Sequence, residues 1–343
     1  MFLSNRTLPF WLFLLLTATG CLPSSCARVE SRAITPDDSL SRALAAAMPI
    51  DTLDVIDSIV PERDDFQHPR TILFTGDGGL IISDSRSNML FRLAPDGTIS
   101  EETLMAGSIP YLAGVFGDSV WVFGPVNRNM HLLKAEGVID SLDLDLGSGN
   151  ERSLTWAVRT DSGFVSKVLD DDSGNYLGLH NETGELIRTV TLDGPSWRYA
   201  GLLRYHQGSV YSLVGYLPWV DIWNGIELDS MRLKGFDSPM LARSFQFQVG
   251  NTNQPPLLTA SSAFAGDWMF VLNMRPGWLN IDVYDLEGTL KYIITQPDPS
   301  FSKEFYPTDL AVRQTALGTF ELAVTVTEPE PRIDRYRWVM PRR

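Results

Sequence analysis

Beyond residue 50 the apolar and polar positions alternate with a period of two. Leu53-Asp54-Val55-Ile56-Asp57-Ser58-Ile59 and Ile139-Asp140-Ser141-Leu142-Asp143-Leu144-Asp145-Leu146 are the clearest runs. Such alternation predicts strands with one buried face. No stretch after residue 50 keeps helical spacing for ten residues, so the body is read as all-β. Just before it, Thr35-Pro36-Asp37-Asp38 places a Thr cap, a Pro in the first turn and two acids ahead of DSLSRALAAAM. That arrangement predicts a short helix ending near Met48, ahead of Pro49, and covering part of the following domain. At the start of the chain, Thr7–Gly20 is uniformly apolar behind the single charge of Arg6. Fourteen helical residues span about 21 Å, short of a ~30 Å hydrocarbon core, so residues 1–20 are read as a cleaved signal segment.

The strands recur as a unit: a turn, an apolar strand, a polar loop, a second strand, a turn ending in Gly, and an alternating strand. The copy Asp77-Gly78-Gly79-Leu80-Ile81-Ile82-Ser83-Asp84, followed by Met89–Leu93 and Pro95-Asp96-Gly97, shows it best. Gly-ending turns at 97, 137, 184, 225 and 288 are spaced 40, 47, 41 and 63 residues apart. Intervals of about 40–50 residues match four-stranded propeller blades. The long interval contains the polar, Pro-rich residues 246–262, read as a loop insertion. A sixth unit ends at Met340 without an outer strand, while residues 51–60 form a surplus strand resembling 138–146. Pairing the surplus strand with the last unit closes a ring and removes an exposed edge. The fold class is therefore an all-β, six-bladed propeller of four-stranded antiparallel blades over 51–343, with the N-terminal strand completing the last blade.

Composition narrows the function classes. Twenty-eight basic residues against 42 acidic ones give a net charge of −14, which offers no general grip on phosphate backbones and argues against nucleic acid. Two Cys cannot form a disulfide framework, and four scattered His form no His-rich metal site. His131 and His180 fall in predicted strands and are read as structural. No Gly-x-Ser-x-Gly, phosphate-binding glycine loop, His-Glu-x-x-His or Cys-x-x-Cys is present.

Leu16-Thr17-Ala18-Thr19-Gly20-Cys21 resembles the lipobox of bacterial lipoproteins. The resemblance implies that Cys21 is acylated and becomes the mature N-terminus, with 21–50 a lipidated tether and short helix. It also implies a protein anchored in the cell envelope; Leu22 after the Cys favours the outer membrane, with the body facing the periplasm or the surface. Cys26 is then a tether residue. Gly79–Thr98 resembles the NHL-type repeat of six-bladed propellers, through Asp84-Ser85, Asn88 and Pro95-Asp96-Gly97. The whole chain is thus similar to bacterial six-bladed propeller lipoproteins.

Candidate chemistry sits on the loops between the second and third strands and between blades. These carry His68, Trp197, Tyr199, Tyr216, Trp219, Trp278 and Tyr306, whose flat apolar faces and polar edges suit a peptide or glycan. The expected function is a non-catalytic recognition module for an envelope protein, peptide or glycan, needing no cofactor. The alternative is a hydrolase. Several six-bladed propellers are metal-dependent lactonases or esterases, and resemblance to them would place Ca²⁺ or Mg²⁺ among Asp84, Asn127, Asp170, Asp221 and Glu328. Asp, Asn and Pro are also ordinary turn residues.

Overall fold

The computed structural model describes residues 39–61, 63–134, 137–147, 153–275, 277–297 and 304–341. The signal segment, Cys21, Cys26 and the Thr35–Asp38 helix start lie outside the described residues.

The chain enters through α1 (Ser39–Ala47) and two short strands, β1 (Ile50–Thr52) and β2 (Asp54–Ile59). Blade one is β3 (Pro69–Phe74), β4 (Leu80–Asp84), β5 (Met89–Leu93) and β6 (Ile99–Leu104). Blade two is β7 (Tyr111–Phe116), β8 (Ser119–Gly124), β9 (Asn129–Lys134) and β10 (Gly137–Asp143). Blade three is β11 (Leu154–Thr160), β12 (Gly163–Leu169), β13 (Asn175–His180) and β14 (Leu186–Leu192). Blade four is β15 (Leu203–His206), β16 (Ser209–Leu213), β17 (Trp219–Trp223) and β18 (Leu228–Arg232). After α2 (Leu241–Gln248), blade five is β19 (Thr259–Ala265), β20 (Trp268–Asn273), β21 (Asn280–Asp285) and β22 (Leu290–Thr295). The last three strands are β23 (Tyr306–Ala316), β24 (Thr319–Glu328) and β25 (Arg332–Val339). Each of the six sheets contains four blade strands paired antiparallel to their neighbours, so the chain is a six-bladed β-propeller.

The expected ring closure is present. β2 pairs antiparallel with β25 from Asp54↔Arg337 to Ile59↔Ile333, supplying the fourth strand of blade six. It repeats a side-chain detail of blade four. Ser58 donates to Asp334 at 2.6 Å, as Ser230 on β18 donates to Asp221 at 2.6 Å, and both pairs sit directly across the sheet. Arg335 grips Asp57 through two nitrogens, and Trp338 Nε1 donates to Asp51. The pattern did not foretell β1, which adds a fifth strand to blade five, parallel to β22. Leu53, between β1 and β2, therefore straddles the seam. It is buried among Phe270, Phe320 and Trp338 and donates its N–H to Thr295.

The core consists of such seams, where the face of one twisted sheet packs on the next. Strand-three/four turns reach back onto the outer strand of the preceding blade. Gly184, at φ +82°, needs its missing side chain because a Cβ would lie 2.3 Å from the Asp143 carbonyl oxygen. The same contact recurs where Gly288 meets Met231 and where Gly97 meets Ile59. Ile59 belongs to β2, so the borrowed strand also supports the neighbouring blade as a resident one does.

The insertion is displaced from its expected limits. Residues 259–262 open β19, the innermost strand of blade five, and 246–248 finish α2. The inserted segment is 233–258. Its polar Asn251-Thr252-Asn253-Gln254 stretch follows the helix, whereas the small residues Ala260-Ser261-Ser262 fit the narrow axis. α1 packs on this connection as expected of a cover: Gly235 N–H donates to Ser41 Oγ, and Leu44 lies against Gly235. Among the described residues no helix is long and apolar enough to cross a membrane.

Candidate functional site

Six inner strands, β3, β7, β11, β15, β19 and β23, line the axis. Each starts at an inter-blade loop and ends in the turn to its second strand, so the axis has two chemically distinct mouths. At the turn end a cavity of about 360 Å³ is lined by residues from all six inner strands. A cleft of similar size, about 380 Å³, lies at the blade five–six seam beside β2. The axial cavity is the stronger candidate because six strand ends converge on it.

Its mouth is aromatic. Phe74, Phe116, Tyr205, His206 and Phe264 line it, together with Arg159. Phe116 and Tyr205 stack across the axis from blades two and four, with centroids 6.3 Å apart. His206 stacks on Phe264 at 4.9 Å and turns Nε2 to the Gly266 carbonyl at 2.8 Å. Tyr205 donates its hydroxyl to Asp161 at 2.6 Å, and partial burial together with that carboxylate raises the phenol above its ordinary pKa. Arg159 lies 5.8 Å from the Phe116 centroid while paired with Glu182. Arg313 lies 4.6 Å from Phe74 while paired with Glu321. The arginines of this wall are paired with acids, and aromatic rings share its apolar area with aliphatic side chains such as Leu112, Val158 and Leu203.

The inner end is bridged by a buried ion pair. Arg204 on β15 donates to Asp309 on β23 at 2.5 Å and, through Nε, to the Ser262 carbonyl at 2.9 Å. Asp309 also accepts from Ser261 Oγ and from Ile72 N–H. One carboxylate thus ties blades one, four, five and six. A buried pair of this kind holds only when its remaining hydrogen-bonding capacity is met, as it is here.

The sequence-predicted aromatics lie at the opposite end, with the loops that were expected to carry them. They do not form one rim. Trp197 packs edge-on against Phe247 of α2 at 4.9 Å, and the Tyr216 carbonyl accepts from Ser244 of α2. The insertion therefore covers the part of that face where these two residues lie. Tyr199 donates its hydroxyl to Asp193 and carries Arg198 at 5.0 Å from its ring. Trp219 opens β17 and Trp278 precedes β21, both half-buried, while Tyr306 opens β23 and is exposed. His68 is half-buried with Nδ1 3.0 Å from Ser85 Oγ.

The five candidate metal ligands are dispersed among different blades. Asp84 is fully buried and accepts four backbone N–H bonds, from Gln67, His68, Arg86 and Ser87. That places it as an organiser of this loop, joining the inter-blade segment to the strand-two/three turn. Asp170 does a similar job for Asp172 and Ser173. Both oxygens of Asp221 are taken by Arg198, at 2.9 and 3.0 Å, and one also accepts from Ser230. Asn127 and Glu328 are exposed. Among the described residues no group of three His, Cys, Asp or Glu side chains could hold a metal ion.

No family model and no curated protein sequence matches the chain. Solved structures do. A catalytically inactive virginiamycin B lyase from Staphylococcus aureus with quinupristin is 12% identical, covers 82% of this chain and 87% of its own, and superposes with a TM-score of 0.51. A luciferin-regenerating enzyme is 11% identical, covers 82% of this chain and 95% of its own, with a TM-score of 0.51. A streptogramin B lyase is also 11% identical, covering 82% and 97%, with a TM-score of 0.50. They share a fold with this chain.

Sequence reasoning missed the aromatic mouth, although a repeat announces it. Phe74-Thr75-Gly76-Asp77, Phe116-Gly117-Asp118 and Phe264-Ala265-Gly266-Asp267 each place a Phe at the end of an inner strand before a Gly-Asp turn. It also missed a seam between blades three and four. There Lys167 is fully buried and donates to the Tyr199 and Gly201 carbonyls and to Ser212. Burial pushes its pKa down to about 7, with Asp221 opposing the fall and Arg198 adding to it. His131 and His180 sit in β9 and β13 as expected, and burial lowers both.

Proposed function

We propose that this chain is a non-catalytic recognition propeller, lipid-anchored through Cys21 in the cell envelope, that receives part of an envelope protein, a peptide or a glycan in its axial cavity. The observation that carries the reading is the concave aromatic mouth, where five rings from four blades surround about 360 Å³. Concave, mainly apolar sites with a few polar groups are the usual form of ligand pockets. The lipobox-like start supports the anchor, and the net charge of −14 supports a soluble body that does not adhere to anionic surfaces.

The hydrolase alternative draws on the similar folds, which include a lyase and a luciferin-regenerating enzyme. It has no comparable support from the side chains, since the oxygens of Asp84 and Asp221 are already committed to the protein. Both readings meet in one experiment. Purified residues 27–343 are applied to glycan and peptide arrays, assayed for bound divalent metal, and tested on lactone and ester substrates. The expected result is array binding that falls about tenfold or more in Phe116→Ala and Phe264→Ala and stays unchanged in Trp278→Ala. Stoichiometric metal, with hydrolysis abolished in Asp84→Ala or Asp221→Ala, would overturn the binding reading.

A further inference from the structure

Resting on the reading just given, we infer that the group entering the axial cavity is an organic cation, an alkylammonium carried on an apolar stem. Three features of the turn-end mouth converge on this chemistry.

The first is sign. Four of the six inner-strand turns carry an aspartate, namely Asp77, Asp118, Asp161 and Asp267, and none of the six carries Lys or Arg. Asp118 and Asp267 are exposed and form no ion pair among the described residues; Asp118 shares a cleft with Arg92 and Lys134, whereas Asp267 does not. The outer turns of the same face add Asp96, Glu182, Glu185, Glu227 and Glu287. Cations already inside this wall are each satisfied by an acid: Arg159 by Glu182, Arg313 by Glu321, and Arg204 by Asp309. An incoming anion would meet acidic turns and find every arginine occupied.

The second is the surface offered. One ring of this wall already holds a cation, as Arg313 lies 4.6 Å from the Phe74 centroid, while Arg159 sits nearest Phe164 and Trp121, behind the wall. Aromatic faces attract cations through their quadrupole, and several rings around one void make the attraction selective for bulky ammonium groups. Phe264 and Tyr205 present further ring surface to the same void.

The third is the aliphatic surface between the rings. Leu112, Val115, Val158, Leu203 and Val312 line the same void. A cation alone would leave this surface without a partner, whereas an alkyl stem gives it one.

The test is calorimetric titration of residues 27–343 with choline and with butylammonium, set against the neutral choline isostere 3,3-dimethylbutan-1-ol and against butyrate. The expected result is binding of an ammonium probe about tenfold tighter than of the neutral or anionic one, weakened by added salt. Phe264→Leu, which keeps apolar bulk and removes the ring, and the double change Asp118→Asn with Asp267→Asn should each reduce it. A preference for choline over butylammonium assigns a quaternary headgroup, and the reverse assigns a primary amine such as a lysine side chain. Equal binding of the neutral isostere, lost together with that of choline in Phe116→Ala, would overturn the cationic class while leaving the cavity as the site. Ammonium binding that neither Phe264→Leu nor Phe116→Ala alters would overturn both. Absence of binding by every probe at millimolar concentration would overturn the cationic assignment.

Discussion

Single residues in this protein are governed by what reaches them across seams. Lys167 points from β12 into the junction of blades three and four, against Trp156, Tyr199, Ser212, Arg198 and Asp221. The ammonium donates to all three acceptors but is desolvated, whereas the neutral amine has only two N–H groups to donate yet is cheaper to bury. With a folded pKa near 7 and an unfolded value near 10.4, the unfolded chain holds the extra proton between those limits. Stability therefore rises with pH across that window and is lost as pH falls through the folded value. Urea unfolding at pH 7 and pH 9 should show the native chain gaining about 2 kcal/mol at the higher pH. Lys167→Met should remove most of that gain, and parallel behaviour of the two proteins would refute the assignment. The acids tell a related story. Asp84, Asp170 and Asp221 stand out in the sequence as possible ligands, but their hydrogen-bond partners come from 2 to 23 residues away and commit them to backbone or arginine.

At the level of elements, the most consequential piece is the strand pair that precedes blade one. The motif Ile56-Asp57-Ser58 on β2 recurs as Ile139-Asp140-Ser141 on β10 and Leu228-Asp229-Ser230 on β18, all outer strands. That makes the closing strand legible in the sequence, because alternation and a short motif are local properties. β1 was not legible: three residues are too few to show a period, and its pairing depends on β22, far along the chain. Leu53 joins the two strands as a buried plug in a seam of large aromatics. Leu53→Ala should cost about 2–5 kcal/mol, measured by denaturant midpoint, through lost burial and the cavity left behind. Val55→Ala, at an exposed position on the adjoining strand, should stay within about 0.5 kcal/mol. Equal effects would mean that β2 closes the ring by hydrogen bonding alone. α2 was hidden for another reason, since eight residues are too few to sustain a helical period, and the helix packs against Trp197 and Tyr216.

The whole molecule presents two different ends. One is partly covered by the insertion, and the other opens into the aromatic cavity ringed by acids. The proposed lipid at Cys21, with a net charge of −14, predicts a chain that stays at the membrane without binding it through its body. Cys21→Ser expressed in a bacterial host should lose incorporation of a fatty-acid analogue and move from the membrane pellet to the soluble fraction. Retention of label in that variant would remove the lipidated anchor from the proposed function. The cavity is unaffected by that outcome, because it is built from the six inner strands and the turn at Gln207.

What could be read from the order of residues was what neighbours encode. Period-two alternation, Gly-ending turns near 40-residue intervals and an orphan outer strand together imply six blades and a closure, and the fold has both. Which mouth of the axis is open was decided only in three dimensions. A cavity is the space left over when side chains from six separated strands have packed, and no local window contains that remainder. Whether an aromatic lines such a space or wedges against a helix depends on partners tens of residues distant, as Trp197 and Phe264 show in opposite senses. Periodicity travels along the chain, whereas concavity exists only between its parts.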